Sequence, residues 1–425
     1  MTKTARMRGD DRRRLLFFVS LGALQAIWPL TMDLYLPAFP QLQDELGTTP
    51  ALVQFTLTGA FIGMALGQLA AGPISDAVGR TKPLATALVI YTVATVSCAL
   101  APNIEWLIAS RFAQGLGAAG CAVIGIALVR DTVSGPAMLR FIANLSVISG
   151  FFVVLSPAIG AQLLSVIDWR GIFWVLVAYG SLLVVLAFGV FLRSETNPPE
   201  RRALRAGATV RDDYRVLLGS PVFRSIVVGG GLMFAGMMTY MASSAFLFQD
   251  VYGLTPTEYA IAFGGHGALM IVGAQVSARL SRRFAPRSIV LIGMTALVTS
   301  ATVLLLSVLL VPQAGFFGFL VPLLLFTTSF GLIGPAVQAF ALEPHGMRAG
   351  TAASLLGASN MVFAAVASPI AGLFGVGTPT ATVVVMLVLE GAAFAAFACA
   401  FRRRPTPGPH VPNAGDFTGE GPRSA

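Results

Sequence analysis

Twelve long apolar stretches recur along the chain, and they restrict its fold more than any other feature. Each has roughly 20 residues or more, enough at 1.5 Å per residue for a helix to cross a hydrocarbon core of about 30 Å. The runs are too continuously apolar for the alternating pattern of a membrane barrel. The predicted spans are 15–39, 50–73, 83–101, 104–129, 140–165, 170–192, 221–248, 256–278, 288–311, 315–341, 350–374 and 378–401.

The overall composition agrees with an integral membrane protein. The sequence is 56% hydrophobic and only 11% charged, with a mean hydropathy of +0.79, which lies outside the balance of a soluble domain. The first span follows three arginines, as a signal peptide would, but it is too long and ends in "YLPAFP" rather than in a small-residue cleavage site.

The net charge of +9 reports topology rather than a nucleic-acid partner. Basic residues fall before span 1 and in alternate loops, whereas the opposite loops hold only Arg170. The positive-inside rule therefore predicts a multi-pass protein of the cell membrane with both termini in the cytoplasm. We expect no nucleic-acid partner, and a monomer that contacts the lipid bilayer, protons and small hydrophobic molecules.

A polar, basic interruption divides the spans six and six. It covers residues 193–220, and the second half repeats the span starts of the first at an offset of about 206 residues. The sequence thus predicts an all-α membrane protein of twelve transmembrane helices in two six-helix halves, with the substrate site between them near the bilayer midplane. The predicted units are a cytoplasmic tail (1–14), two bundles (15–192 and 221–401), their linker (193–220) and a disordered tail (402–425).

Signals for enzymatic chemistry are missing from the sequence. It contains no G-x-x-x-x-G-K-[ST] loop, no H-E-x-x-H and no G-x-S-x-G. Cys98, Cys121 and Cys399 all fall inside spans and offer neither a disulfide framework nor a zinc spacing. We therefore expect no enzymatic activity, no metal and no cofactor, with an ion gradient as the energy source.

Four ionisable residues lie deep within spans, where a charge is costly and each is a candidate for function. Asp33 and Arg111 each lie about 10 Å inside the outer boundary by residue counting. They could form only a structural pair, or Asp33 could change its protonation beside a cation, as proton coupling requires. The other two are weaker: His266 is more often a hydrogen-bonded packing group, and Glu390 has no nameable partner.

Two helix faces are candidate walls of a substrate cavity. Asp33 shares a broad face with Gln25, and Trp28 and Tyr35 lie nearby. On span 7 a flexible thioether and aromatic stripe suits varied ligands, although ordinary packing explains any single methionine better. The span 7 candidates are Met237, Tyr240, Met241 and Ser244.

Two further motifs concern helix movement. The turn "GPISDAVGRTKPL" after span 2 combines close packing with charge, and its acid could dock on the positive end of another helix. Its candidate gating residues are Gly72, Asp76, Gly79, Arg80 and Lys82. In span 5, Pro157 and Gly160 permit a bend and close packing.

These motifs together resemble the major facilitator superfamily, and within it the drug:proton antiporters of the bicyclomycin and chloramphenicol resistance (Bcr/CflA) branch. The most specific match runs from "MDLYLPAFP" to "GRTKPL". Shorter matches are "RFAQGLGAAG", "VRD", "DWRGIFW", "VYGLTP" and "AGTAASLLGA".

The resemblance implies a role for each matched motif. Asp33 would be a membrane-embedded acid for proton coupling and recognition of cationic drugs, and Arg111 with Gln114 would transfer protons or tune that acid. The loop after span 2 would be the gating turn, and Pro157 with Gly160 the antiporter motif. Ser156 and Ala161 stand where glycines are common, and these small residues keep the packing argument. Ala77 stands where a basic residue is usual, so the gating contact could be weaker.

The function expected from these residues is export of small, largely hydrophobic toxic compounds, such as antibiotics, in exchange for protons. One alternative is a carrier of metabolites or sugars on the same fold, although such cavities usually hold more Asn, Gln and Trp. A second is a non-transporting receptor or scaffold, which would need a larger soluble domain. Whether a protonophore raises drug accumulation in expressing cells separates these possibilities.

Overall fold

The fold is a bundle of long helices in two halves, as predicted from the apolar spans. The computed structural model describes residues 3–133, 135–191, 195–200, 210–342, 348–375 and 377–402. The first half contains α1 (Lys3–Asp33), α2 (Phe39–Glu45), α3 (Pro50–Val78), α4 (Thr81–Ala99), α5 (Ile104–Thr132), α6 (Gly135–Leu164) and α7 (Trp169–Val190). The second half contains α8 (Val210–Gly219), α9 (Pro221–Phe246), α10 (Pro256–Leu280), α11 (Pro286–Leu310), α12 (Gly315–Leu342), α13 (Ala349–Ala367), α14 (Ile370–Leu373) and α15 (Pro379–Arg402).

Twelve helical segments among these described residues are long and apolar enough to cross a bilayer, which confirms the predicted fold class. The predicted boundaries of the terminal tail and the linker stay predictions, and both segments contain helical residues. Helix α1 begins at Lys3, inside the predicted N-terminal tail, and α8 occupies the end of the predicted linker. Residues 201–209 of the linker and the tail from residue 403 onward lie outside the described residues.

Polar residues define where several helices begin. Thr49, Asn103, Asp168, Ser220 and Thr255 each accept a hydrogen bond from a backbone N–H in the first turn of the following helix. Such N-caps satisfy amide groups that have no partner within the helix. The caps therefore set the starts of α3, α5, α7, α9 and α10.

The two halves pack their helices in the same way. In the first half α3 lies along α5, and in the second half the equivalent helices α10 and α12 lie together. Both contacts depend on glycine, because a Cβ on Gly115 would overlap the carbonyl of Ala60 and a Cβ on Gly331 would overlap that of Met270. The duplication predicted from span spacing is thus visible in matched close contacts.

Two pairs of long helices make extensive contacts between the halves. Helix α3 packs against α13, and α6 packs against α10. Helix α3 runs the length of the bundle, with Gln54 near its start and Arg80 just after its end. We call the end that holds Arg80 and Arg130 the basic end, and the end that holds Gln54 the opposite end.

The first span is broken, whereas the sequence predicted one continuous helix over 15–39. Helix α1 stops at Asp33, a single 3-10 turn covers Leu36–Ala38, and α2 follows. The reason is Pro37, which has no N–H to donate to the carbonyl of Asp33 four residues earlier. The break leaves Asp33 as the last residue of α1.

Candidate functional site

An internal cavity of about 130 Å³ lies between the two halves. It is mostly apolar, and five methionines and several aromatic rings form much of its wall. Its lining comprises Trp28, Met32, Asp33, Leu36, Leu57, Phe61, Val153, Phe234, Met237, Met238, Met241, His266, Met270 and Phe330. Flexible thioethers adapt to ligands of different shape, so this wall suits varied hydrophobic molecules.

Asp33 supplies the carboxylate of this cavity. Asp33 is only 3% exposed and is the last residue of α1. Within the described part of the chain, no hydrogen bond or ion pair joins its side chain to another residue. A buried charge without a partner is destabilising, so a cation in the cavity or a bound proton would stabilise this carboxylate.

Arg111 does not pair with Asp33, and the prediction of a compensating pair is wrong. Its guanidinium donates to the carbonyl of Thr31 at 3.0 Å and to the Gln114 amide oxygen, and lies over the ring of Tyr35 at 4.3 Å. Among the described residues, no ion pair within 4.0 Å links it to Asp33.

The error has a simple geometric cause. Matched depth does not place two side chains on facing sides of their helices: Asp33 lines the cavity between the halves, whereas Arg111 is buried within the first half. Gln114, which Arg111 contacts, also donates to Thr95 at 2.9 Å. By bonding the carbonyl of Thr31, Arg111 holds the end of α1 that carries the acid.

The other predicted cavity residues divide into two groups. Trp28, Met237 and Met241 line the cavity, as the two predicted faces required. Gln25, Tyr35, Gln114, Tyr240 and Ser244 are absent from its lining.

Most of the polar side chains outside the lining bond to neighbouring helices instead. Gln25 donates to the carbonyl of Ala122 at 3.1 Å, the Tyr35 hydroxyl bonds Thr56 at 2.9 Å, and that of Ser244 bonds Tyr259 at 3.1 Å. The predicted helix faces thus contain more residues than the cavity lining takes from them.

His266 and Glu390 occupy different places. His266 lines the cavity from the second half, and its ring lies 5.3 Å from that of Tyr240 and 5.0 Å from that of Phe263. Glu390 is fully buried in α15, where a Cβ on Gly236 of α9 would overlap its carboxyl oxygen. The ring nitrogens of His266 and both carboxyl oxygens of Glu390 have no hydrogen-bond partner among the described residues.

Hydrogen bonds between the halves close the opposite end of the bundle. Gln54 is fully buried and donates to the carbonyl of Ala242 and the hydroxyl of Ser243, each at 3.2 Å, while its oxygen accepts from the amide of Gly372 at 3.1 Å. We call these three contacts the Gln54 clamp. Nothing in the sequence motifs singled out Gln54, because an amide in an apolar helix has no fixed partner until the halves dock.

A second cavity, of about 480 Å³, lies at the basic end. Residues of both halves line it, among them Gln68, Gly72 and Arg130 from the first half and Gln338 and Thr351 from the second. The bundle is therefore hollow between its halves at the basic end and joined at the opposite end.

The predicted gating turn lines this second cavity and forms an ion network. The Arg80 guanidinium bonds Asp76 at 2.6 Å, Asp131 at 2.8 Å and the Ser75 hydroxyl at 2.7 Å. The turn thus places Arg80 between two acids, and Lys82 is exposed beside it. Docking of Asp76 on another helix, expected from the motif, stays a prediction for a different conformation.

Glu195 completes the turn and was missed from the sequence. Its carboxylate accepts hydrogen bonds from the backbone N–H groups of Arg80 at 2.8 Å and Thr81 at 3.1 Å, at the start of α4. Partial burial opposes its ionisation, but bonds from Arg80, Asn197 and Thr81 hold the pKa of Glu195 below its usual value. The only signal was an acid soon after span 6.

Gly79 makes this contact possible. Its φ of 101° lies in the left-handed region, and a Cβ there would come within 2.6 Å of a Glu195 oxygen. The antiporter motif is similarly constrained. Gly160 of α6, which also contains Pro157, faces the carbonyl of Leu34, so that α6 packs directly on the break that follows Asp33.

Comparison with known proteins gives one family and a set of structural neighbours. The model of the Major Facilitator Superfamily matches residues 21–352. The "Uncharacterized MFS-type transporter YdgK" of Bacillus subtilis (strain 168) is 33% identical over 369 residues, covering 86% of this chain and 90% of that protein. The "Multidrug resistance protein MdtL" of Escherichia coli (strain K12 / DH10B) is 27% identical over 368 residues, covering 85% and 89%.

Solved structures at low identity share the fold. A bacterial homolog of the human lysosomal transporter Spinster, in an inward-facing and occupied conformation, superposes with a TM-score of 0.73 at 17% identity, covering 92% of this chain and 97% of that one. The D-xylose-proton symporter gives a TM-score of 0.70 at 13% identity, covering 91% and 96%.

Proposed function

The chain belongs to the Major Facilitator Superfamily, and we propose that it is a proton-coupled antiporter that exports small hydrophobic drugs. The carrying observation is the apolar, methionine-rich cavity with Asp33 in its wall. The 27% identity to a protein named for multidrug resistance supports the same proposal, as does the resemblance of the sequence motifs to those of the Bcr/CflA branch.

The orientation follows from the positive-inside rule. Taking the basic end as cytoplasmic places both termini on the cytoplasmic side of the cell membrane, and makes the 480 Å³ cavity an inward-facing vestibule. The Gln54 clamp then closes the outer end. A substrate would enter from the cytoplasm, reach the cavity beside Asp33 and leave after the clamp opens.

Asp33 couples export of the drug to uptake of a proton through charge compensation. An ionised carboxylate in this cavity is balanced either by a cationic substrate or by a proton, because the described residues offer it no partner. Drug and proton would therefore compete for one site, which is the requirement for exchange. Exchange of one proton for one monovalent cation moves no net charge, so the pH gradient drives it, and one pH unit supplies about 1.4 kcal/mol, enough for a drug gradient of about tenfold.

A carrier of sugars is less well supported by the cavity. Sugars need many hydrogen-bonding groups, whereas the described residues of this lining offer only the side chains of Asp33 and His266 and the indole N–H of Trp28. The structural likeness to the D-xylose-proton symporter supports the fold alone, at 13% identity.

The test is proton-driven export by the purified protein in liposomes. Asp33→Asn keeps the shape of the side chain but cannot ionise, so we expect it to abolish drug export driven by an imposed pH gradient. Asp44→Asn is the matched control, because Asp44 is an exposed aspartate of α2 outside the cavity. Proton-coupled export by Asp33→Asn with every substrate tried would refute the role given to Asp33.

A further inference from the structure

His266 brings a second polar group to the cavity, from the half that does not carry Asp33. It lies on α10, and its ring contacts those of Tyr240 and Phe263. The residue is 1% exposed, and neither ring nitrogen has a hydrogen-bond partner among the described residues. Asp33, on α1, likewise has no bonded partner there.

Such a group is destabilising unless something in the cavity bonds it. A buried polar group without a partner costs about 1–3 kcal/mol. The Met, Leu, Val and Phe side chains of the lining offer imidazole no ordinary hydrogen bond, and neither Asp33 nor the indole N–H of Trp28 bonds it. A molecule that occupies the cavity can supply the bonds that His266 lacks.

The cavity also limits the size of the group it takes in this conformation. Its volume is about 130 Å³, and an apolar protein cavity of roughly 150 Å³ holds benzene. A single aromatic ring therefore fills that space, and short substituents on the ring require the flexible methionines to move.

We propose that His266 is a substrate-specificity residue, a hydrogen-bonding anchor in the second half that works together with Asp33 in the first. Preferred substrates are then compact aromatic cations with a hydroxyl or similar group distant from the charge. Neutral imidazole has one donor and one acceptor nitrogen, so either can bond a hydroxyl. This inference rests on the proposed function, because it names the substrate class of the same cavity.

A matched pair of probes tests the role of His266. The probes are 4-hydroxybenzylammonium and 4-methylbenzylammonium, which share the ring and the charge and differ in one polar group. Their affinities are measured by NMR titration of the whole protein in lipid nanodiscs, without a proton gradient. Losing one hydrogen bond is worth about tenfold in affinity, so we expect His266→Met to lower the preference for the hydroxyl probe about tenfold.

Two further variants separate specificity from structure. His266→Gln keeps a donor and an acceptor and should retain most of the hydroxyl preference. Ile271→Val, on the same helix at a position that is 39% exposed and outside the cavity lining, should leave both affinities unchanged. If His266→Met does not fold, His266→Phe serves as the apolar variant.

The outcomes distinguish this inference from the proposed function. An equal hydroxyl preference in the wild type and in the apolar variant overturns it, as does failure of the wild type to bind either probe. If the wild type shows no proton-driven export but keeps a His266-dependent preference for the hydroxyl probe, the proposed function is refuted and the inference is supported. The reverse result, export without any such preference, overturns only the inference.

Discussion

Removing the Gln54 clamp should shift the protein toward the conformation that is open at the opposite end. In Gln54→Leu the side chain keeps a similar volume but loses three hydrogen bonds that all join the first half to the second. Because these bonds must break when that end opens, they stabilise only the closed conformation. The variant therefore changes an equilibrium between conformations rather than the packing of one half.

The size of the shift follows from the geometry of the clamp. Each bond has a donor–acceptor distance of 3.1 or 3.2 Å, and an ordinary hydrogen bond contributes about 0.5–1.5 kcal/mol net. Taking about 2 kcal/mol for the three together, the ratio of open to closed molecules rises roughly 30-fold. A shift of that size converts a minor conformation into a readily detected one.

Distances between spin labels on the two halves measure this equilibrium. Asp44 and Thr257 are exposed on α2 and α10 at that end, so Asp44→Cys and Thr257→Cys carry the labels, in a background where Cys399 is replaced by alanine. Gln54→Leu should enlarge the long-distance population. Gln41→Leu is the control, since Gln41 is exposed and bonds only Glu45 of its own helix.

The reasoning would be refuted by unchanged label distances in Gln54→Leu. It would fail equally if Gln41→Leu shifted them as much, because the effect would then come from lost polarity rather than from lost contacts between the halves.

Three further changes follow from individual contacts. Gly160→Ala should reduce transport at least tenfold, because the new methyl overlaps the Leu34 carbonyl. Gly150→Ala is the control and should not reduce transport, because its new methyl meets no atom within 4 Å. Equal transport rates in the two variants would contradict the packing argument. Glu195→Gln should lower the thermal midpoint near neutral pH. Because folding lowers the pKa of Glu195, the stabilisation by this carboxylate is present above about pH 4.5 and is lost as the pH falls through the folded pKa. The difference in thermal midpoint from wild type should therefore shrink in acid, and a constant difference would argue against this role of Glu195. Glu390→Met should raise the thermal midpoint, since it removes an unbonded buried carboxyl that costs about 1–3 kcal/mol; a lower midpoint would mean that the carboxyl has a stabilising partner.

Some of the residues whose position depends on local periodicity were predicted correctly, and residues whose role depends on distant contacts were not. Trp28, Met237 and Met241 were found because a helix face repeats every 3.6 residues, a property of local sequence. Arg111 was paired wrongly because its partner depends on how α5 is rotated against α1. Glu195 was missed, since its role depends on contact with a turn over 100 residues away.

The sequence by itself determined that this chain crosses a membrane twelve times in two related halves, and that a carboxylate lies deep in the first span. These follow from hydrophobic length, charge distribution and span spacing, which are local or periodic properties. Only the tertiary structure decided that Asp33 faces a methionine-lined cavity without Arg111, that His266 joins it there, and that Gln54 closes one end. Those outcomes depend on the rotation and docking of helices that lie far apart in the chain, which no local pattern specifies.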